Sequence, residues 1–76
     1  MTVQQVRDRI NEIVTCFEFE YKGKRGGVDP FSKNNFDIFY GDELETVDSI
    51  DKVMETPFID GKRIEDILDE LYIITI

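Results

Sequence analysis

The chain has 76 residues with nine basic and 17 acidic side chains, no histidine and one cysteine, so its formal net charge is −8. Metal sites and Ser or Cys nucleophile–base pairs normally draw on histidine or clustered cysteines, which this composition does not supply. The negative charge also argues against direct nucleic-acid binding, because that binding depends on cations that neutralise phosphates. We therefore expect no metal, no cofactor and no enzymatic activity.

A chain of this length forms one domain, so we expect a single small acidic domain over residues 1–76. No apolar stretch approaches the roughly 20 residues that span a bilayer, and residues 1–5 lack the basic-then-apolar pattern of a signal peptide. Because Cys16 is alone, no internal disulfide can form, which is typical of a reducing compartment. We expect a whole small protein of the cytoplasm that does not contact membranes.

A first helix is predicted over residues 3–14. Thr2 is a favourable N-cap, and Gln5 three residues later completes a capping box. The apolar residues of this segment recur at helical spacing and form one stripe, which consists of Val3, Val6, Ile10, Ile13 and Val14.

The period of hydrophobicity then changes to two, which predicts one β-strand that starts near residue 16 and another over 36–40. Residues 22–27 are expected to form a flexible arm or a turn. Asp29-Pro30 predicts a single helical turn over 30–33, because Asp caps helices and Pro suits their first position. Six side chains are predicted on the buried face of the sheet: Phe17, Phe19, Tyr21, Phe36, Ile38 and Tyr40.

The next elements are shorter. Gly41-Asp42 predicts a turn, and residues 44–47 predict a short third strand. A second helix is predicted from Asp48 or Ser49 to about residue 55, before Pro57.

The last third of the chain predicts a helix over 62–71, because its apolar residues follow the i, i+3, i+4, i+7 pattern. The apolar residues 72–76 would either add a strand to the protein's own sheet or pair with a second copy or another protein, and we expect the former. Together the elements predict an α+β fold. It consists of a small antiparallel sheet of three to four strands, with an N-terminal helix and two C-terminal helices packed on one face.

Cys16 is the first candidate for a reactive residue. A nucleophilic cysteine needs a base or a cation nearby to lower its pKa. The same-face neighbours of Cys16 on the predicted strand are Glu18 and Glu20, and their charges would raise the pKa of the thiol. We interpret Cys16 as a small buried or half-buried apolar filler.

A basic, glycine-containing segment is the second candidate. Backbone amides of such glycines can cradle an anion, and neighbouring cations would assist. The spacing of a phosphate-binding motif is absent, so we expect a solvated loop, with anion binding as the alternative. The segment comprises Lys22, Lys24, Arg25, Gly26 and Gly27.

The acidic residues are concentrated in the C-terminal half. Residues 1–36 contain six basic and five acidic side chains, whereas 37–76 contain three basic and twelve acidic ones, a charge of +1 against −9. Neither Gly41 nor Gly61 stands at the sixth position of an EF-hand loop, so no calcium site is predicted. Seven acids of the predicted second and third helices are the candidate partner-binding residues: Asp48, Asp51, Glu55, Glu65, Asp66, Asp69 and Glu70.

This asymmetry predicts a non-catalytic protein-interaction module that binds a basic partner through its acidic C-terminal half. The alternative is an acidic inhibitor that imitates nucleic acid and occupies the groove of a DNA- or RNA-handling enzyme. A small enzyme that uses carboxylates alone is a third, weaker alternative, and a homodimer through the C-terminal strand also stays open. An interaction module should show apolar surface beside the acid, a mimic should show a continuous acidic stripe, and an enzyme should show a pocket with convergent acids.

Overall fold

A computed structural model describes residues 1–13 and 16–75. Val14 and Ile76, which were predicted in the first helix and in the C-terminal strand, lie outside the described residues. The elements in chain order are α1 (Val3–Asn11), β1 (Phe17–Tyr21), β2 (Lys24–Ser32), β3 (Asn35–Tyr40), β4 (Glu43–Val47), α2 (Ile50–Glu55), α3 (Ile64–Ile67), a 3₁₀ turn (Leu68–Glu70) and β5 (Tyr72–Thr75).

The predicted N-terminal helix and its cap are confirmed, but the helix is shorter than the predicted range 3–14. The Gln5 amide donates to Thr2 Oγ1 at 3.1 Å, and the Thr2 amide donates to Gln5 Oε1 at 2.8 Å, so both halves of the capping box are present. The helix ends at Asn11, and Ile13 adopts a left-handed backbone with φ 57°. Val6 and Ile10 bury the apolar stripe of α1 in the core.

The predicted buried face of the sheet is also confirmed. All six predicted side chains of β1 and β3 are at most 9% exposed, and Phe19 and Phe36 are fully buried. They form one hydrophobic cluster with buried residues of the three helices. The alternation in the sequence thus identifies the side of each strand that faces the core.

The predicted fold class is wrong, first because the sheet is larger than expected. The described residues form a five-stranded antiparallel sheet in the order β4-β3-β2-β1-β5. Residues 24–32, predicted as an arm and a helical turn, form the longest strand, β2, at the centre of the sheet. Lys22 and Gly23, with φ 50° and 78°, form the two-residue loop of a tight hairpin between β1 and β2, as in a type I′ turn.

The fold class is wrong, secondly, because the C-terminal helices are short. The predicted helix at residues 50–55 is confirmed, with Ser49 Oγ accepting from the Lys52 amide at 3.1 Å. The predicted helix over 62–71, by contrast, consists of the four-residue α3 and a 3₁₀ turn. Ile67 leaves helical geometry (φ −134°, ψ 16°), and like charges at i, i+4 weaken a longer helix. The protein is mostly sheet and does not have two C-terminal helices packed on one face.

The C-terminal strand joins the protein's own sheet, as predicted for residues 72–75. β5 pairs antiparallel with β1, and Ile73 stands opposite Phe19. β5 therefore forms one edge of the sheet and β4 forms the other. In the part of the chain that the structure describes, no helix has the length and apolar character needed to cross a bilayer.

Candidate functional site

The predicted acidic residues of α2 are mostly engaged in ion pairs within the protein. Lys52 Nζ lies 3.2 Å from Asp48 Oδ1 at i, i+4 spacing. The guanidinium of Arg7 in α1 donates to the carboxylate of Asp51, which joins the N-terminal helix to α2. These pairs place cations between the carboxylates, so the outer side of α2 is not a uniformly negative surface.

Arg63 neutralises two further predicted acids at the start of α3. Its guanidinium lies 2.7 Å from Glu65 and 3.0 Å from Asp66. Asp66 also accepts from the Arg63 backbone amide at 3.0 Å, so this carboxylate caps the helix as well as pairing with the side chain. These hydrogen bonds from Arg63 hold the pKa of Asp66 below its ordinary value.

The other three predicted acids have no ion pair among residues 1–13 and 16–75. Asp69 and Glu70 help to line a shallow depression of about 500 Å³ between residues 65–70 and the start of α1. Glu65 and Asp66 line the same depression, and Glu55 of α2 acts electrostatically on Arg63, the partner of both. The structure thus brings four of the seven predicted residues to one depression, whereas Asp48 and Asp51 pair with Lys52 and Arg7.

A different acidic surface, which the sequence analysis did not identify, lies along the edge strand β4. Three shallow depressions of about 390, 480 and 490 Å³ follow one another along β4: the first two face residues 56–61, and the third faces Asn34, Asn35, Lys52 and Thr56. The first two share Glu43 and Phe58, and the last two share Glu45 and Thr56, so they form one continuous groove. We call this surface, from Asp42 to Asp48 on one side and from residue 56 to 61 on the other, the β4 groove.

The β4 groove has an apolar floor in its middle part and a mostly acidic rim, with Lys24 at one end and Lys52 at the other. Ile38, Tyr40 and Phe58 form the floor. The register places Glu43 opposite Tyr40 and Glu45 opposite Ile38, on the side of the sheet that faces the core. Both glutamates are nevertheless exposed, which shows that the helices do not cover this part of the sheet.

Three carboxylates of the rim lack a cationic partner. Asp42, Glu43 and Glu45 form no ion pair within the described part of the chain. Leu44 lies between them on the opposite side of β4 and is 66% exposed. Charges at inward positions of a strand are a known mark of a sheet edge, and this signal in Glu43 and Glu45 could have identified the surface from the sequence.

The tip of the β1–β2 hairpin adjoins one end of the groove. Tyr40 Oη donates to the Tyr21 carbonyl at 2.7 Å, and burial, with smaller contributions from Asp60 and Tyr21, raises the pKa of Tyr40. Lys22 Nζ lies 5.4 Å from the centre of the Tyr21 ring and 3.8 Å from Asp60 Oδ2. Lys24 Nζ lies 5.8 Å from the centre of the Tyr40 ring. Two of the basic residues of this segment thus contact aromatic rings of the protein itself.

The candidate anion cradle at Gly26-Gly27 is not formed. Both glycines are buried in β2 and pair with β1 on one side and with β3 on the other. Their backbone groups therefore belong to the sheet ladder. Arg25 Nε lies 3.7 Å from Glu18 Oε2, so the third cation of the segment also faces a carboxylate.

Cys16 is half-buried, in agreement with its interpretation as a filler. Burial is the main cause that raises the pKa of its thiol, and the charges of Asp29 and Glu18 raise it further. A raised pKa keeps the thiol protonated at neutral pH, and the protonated form is a poor nucleophile. Among the described residues, no three Cys, Asp or Glu side chains are grouped closely enough to hold a metal ion.

Comparisons with other proteins provide no family for this chain: no model of a known protein family matches it, and neither the curated proteins nor the solved structures include a match.

Proposed function

We propose that this protein is a non-catalytic interaction module that binds a basic protein through its acidic C-terminal half. The observation that carries the proposal is the composition of the β4 groove. Three carboxylates without an ion-pair partner in the described chain stand there beside an apolar floor and the exposed Leu44. Apolar surface supplies contact area, and unpaired acid supplies attraction for a cationic partner.

The arrangement of charges favours this function over imitation of nucleic acid. A phosphate-like stripe requires carboxylates in an uninterrupted row. On the helices of this protein Arg7, Lys52 and Arg63 alternate with the acids and pair with them. The groove carboxylates are exposed, which also favours binding over catalysis, because a catalytic acid normally needs a desolvated environment.

The proposed compartment is the cytoplasm. It rests on Cys16, which has no second cysteine to pair with in the sequence. A basic partner in that compartment would be attracted by a chain of net charge −8 before contact, because clustered charge steers diffusional encounter.

Capture of the partner followed by measurement of its affinity with purified components tests the proposal. We expect a basic partner whose dissociation constant rises at least several-fold between about 50 and 500 mM salt, since added salt shortens the Debye length from roughly 14 to 4 Å. Stopped-flow mixing should assign most of the change to association. A partner of net negative charge, or an affinity that salt leaves unchanged, would contradict the proposed function.

A further inference from the structure

We propose that the β4 groove binds an extended segment of the basic partner as a sixth strand of the sheet, with Lys or Arg at alternate positions of that segment. This inference rests on the proposed function and names the binding mode and the chemistry of the ligand.

The backbone of β4 is open to another strand on its outer side. β4 pairs with β3 on one side only, because it is the last strand of the sheet order β4-β3-β2-β1-β5. Alternate N–H and C=O groups of an edge strand point outward, and an extended peptide can pair with them in the mode called β-strand addition. With five residues, β4 offers room for a segment of about five to six residues.

The side chains of β4 favour cations on such an added strand. A strand added beside β4 would place every second side chain on the same side of the sheet as Glu43 and Glu45, above the groove. Directly opposed side chains on neighbouring strands have Cβ atoms about 4.5–5.5 Å apart, close enough for ion pairs. Two glutamates at i, i+2 spacing therefore select two cations at i, i+2 spacing.

The opposite side of β4 determines the residues between these cations. Leu44, which is 66% exposed, points to the other side of the sheet and stands next to Phe39 in β3. An apolar or β-branched side chain on the added strand would cover Leu44. The ligand that fits both sides of β4 thus alternates basic and apolar residues.

Charge also decides between such a peptide and a second copy of this chain. Pairing of β4 with β4 of another copy would bring Glu43 and Glu45 close to the same residues of the partner. Like charges at directly opposed positions destabilise a strand pair, whereas a basic strand would form ion pairs with Glu43 and Glu45. The other edge strand, β5, consists of Tyr72–Thr75 and carries no charge, so it lacks this selectivity for cations.

The probe is a labelled peptide of alternating Lys and Val, six residues long, and the matched control has three Lys followed by three Val. The two peptides have the same charge and composition and differ only in alternation. We expect the alternating peptide to bind at least about tenfold tighter in fluorescence anisotropy at low salt. Methylation of alternate backbone nitrogens, made in each of the two registers, should abolish binding in at least one register. The inference would be overturned if the alternating peptide and the control with three Lys followed by three Val bound with equal affinity. It would also be overturned if methylation left binding unchanged in both registers.

Two double variants with the same change of charge locate the site. We expect E43K/E45K to weaken the alternating peptide at least about tenfold and D69K/E70K to weaken it less than threefold. The four positions are exposed, so both variants should fold, and circular dichroism together with thermal melting checks this. Should E43K/E45K unfold, E43Q/E45Q replaces it, compared with D69N/E70Q, and the same ordering is expected.

The remaining outcomes separate the inference from the proposed function. Equal losses in the two double variants would overturn the inference and leave a basic ligand in place. Failure of both peptides to bind, while a basic partner binds with salt-sensitive affinity, would also overturn the inference alone. A dimer in sedimentation that E43K/E45K dissociates would assign the groove to a second copy and overturn it as well.

Discussion

The ring of Phe19 occupies the space that a side chain on Gly26 would need. The two residues are cross-strand neighbours in β1 and β2, and a Cβ atom on Gly26 would lie 2.8 Å from Phe19 Cζ and 2.8 Å from the Phe39 carbonyl oxygen. Gly27 is more restricted, because its Cβ would lie 2.3 Å from the Phe17 carbonyl oxygen. The Gly26-Gly27 pair therefore has a packing function in the centre of the sheet.

Substitution of these glycines should destabilise the protein by overpacking. We expect Gly27→Ala to lower the free energy of unfolding by about 3 kcal/mol, because β1 and β2 must separate to admit the methyl group. Urea denaturation measures the change. The control is Gly23→Ala, where φ is 78° but no atom beyond the two neighbouring residues lies within 4 Å of the added carbon, and it should cost only about 1 kcal/mol. Equal effects of the two substitutions would contradict the assignment of residues 24–32 to a central strand.

Removal of a core phenylalanine should be more damaging than removal of an exposed one. Phe19 and Phe36 are fully buried, so Phe19→Ala or Phe36→Ala should cost about 3–5 kcal/mol, enough to unfold a domain of this size. Phe31 is 58% exposed, and Phe31→Ala is the matched control with an expected change within about 0.5 kcal/mol. A melting temperature of either core variant within two degrees or so of the wild type would show that the strand register is wrong.

The thiol of Cys16 should react slowly with alkylating reagents. Burial, Asp29 and Glu18 raise the pKa of the thiol, so the midpoint of the pH–rate profile should lie above that of the urea-unfolded chain. Asp29→Asn removes one of the charges and should move the midpoint down, whereas Asp42→Asn, at the β3–β4 turn, should leave it in place. A midpoint below that of the unfolded chain would refute the interpretation of Cys16 as a filler.

The contacts between Arg63 and Asp66 should make part of the free energy of unfolding depend on pH. The folded state lowers the pKa of Asp66, so this contribution is fully present above the pKa of the unfolded aspartate, about 3.9, and is lost as the pH falls through the lower folded value. Asp66→Asn should therefore be less stable than the wild type at pH 6, and the two proteins should converge near pH 2. Urea unfolding across this range measures the difference. The prediction would be contradicted if the free energies of unfolding of wild type and Asp66→Asn differed by the same amount at pH 6 and near pH 2.

The sequence predicted the acidic half of the protein but not the surface where unpaired acid gathers. Helical spacing identified carboxylates on α2 and α3, and it gave no information on the cations that approach them from other elements. Arg7, for example, precedes its partner Asp51 by 44 residues. The inward charges of Glu43 and Glu45 mark β4 as a sheet edge, but the extent of the β4 groove depends on where the helices end above the sheet, which no local pattern in the chain encodes.

The elements with a clear local period followed from the sequence alone: the capping box and stripe of α1, and the alternation of β1 and β3. The short strand β4 was predicted without a period, from residues 44–47 after the Gly41-Asp42 turn. Period-two and period-3.6 patterns are local, because they reflect which side of one segment is buried. β2 contains two adjacent glycines and Pro30, residue types that are depleted in strands. Residues 26–28 pair with both β1 and β3, and the aromatic rings need the space above Gly26 and Gly27, which outweighs the preference of the glycines. Pro30 lies beyond the last pair with β1 and pairs with Phe36 of β3, so its missing N–H does not interrupt the β1–β2 ladder. These contacts join distant segments of the chain, so only the tertiary structure could decide that residues 24–32 form the centre of the sheet.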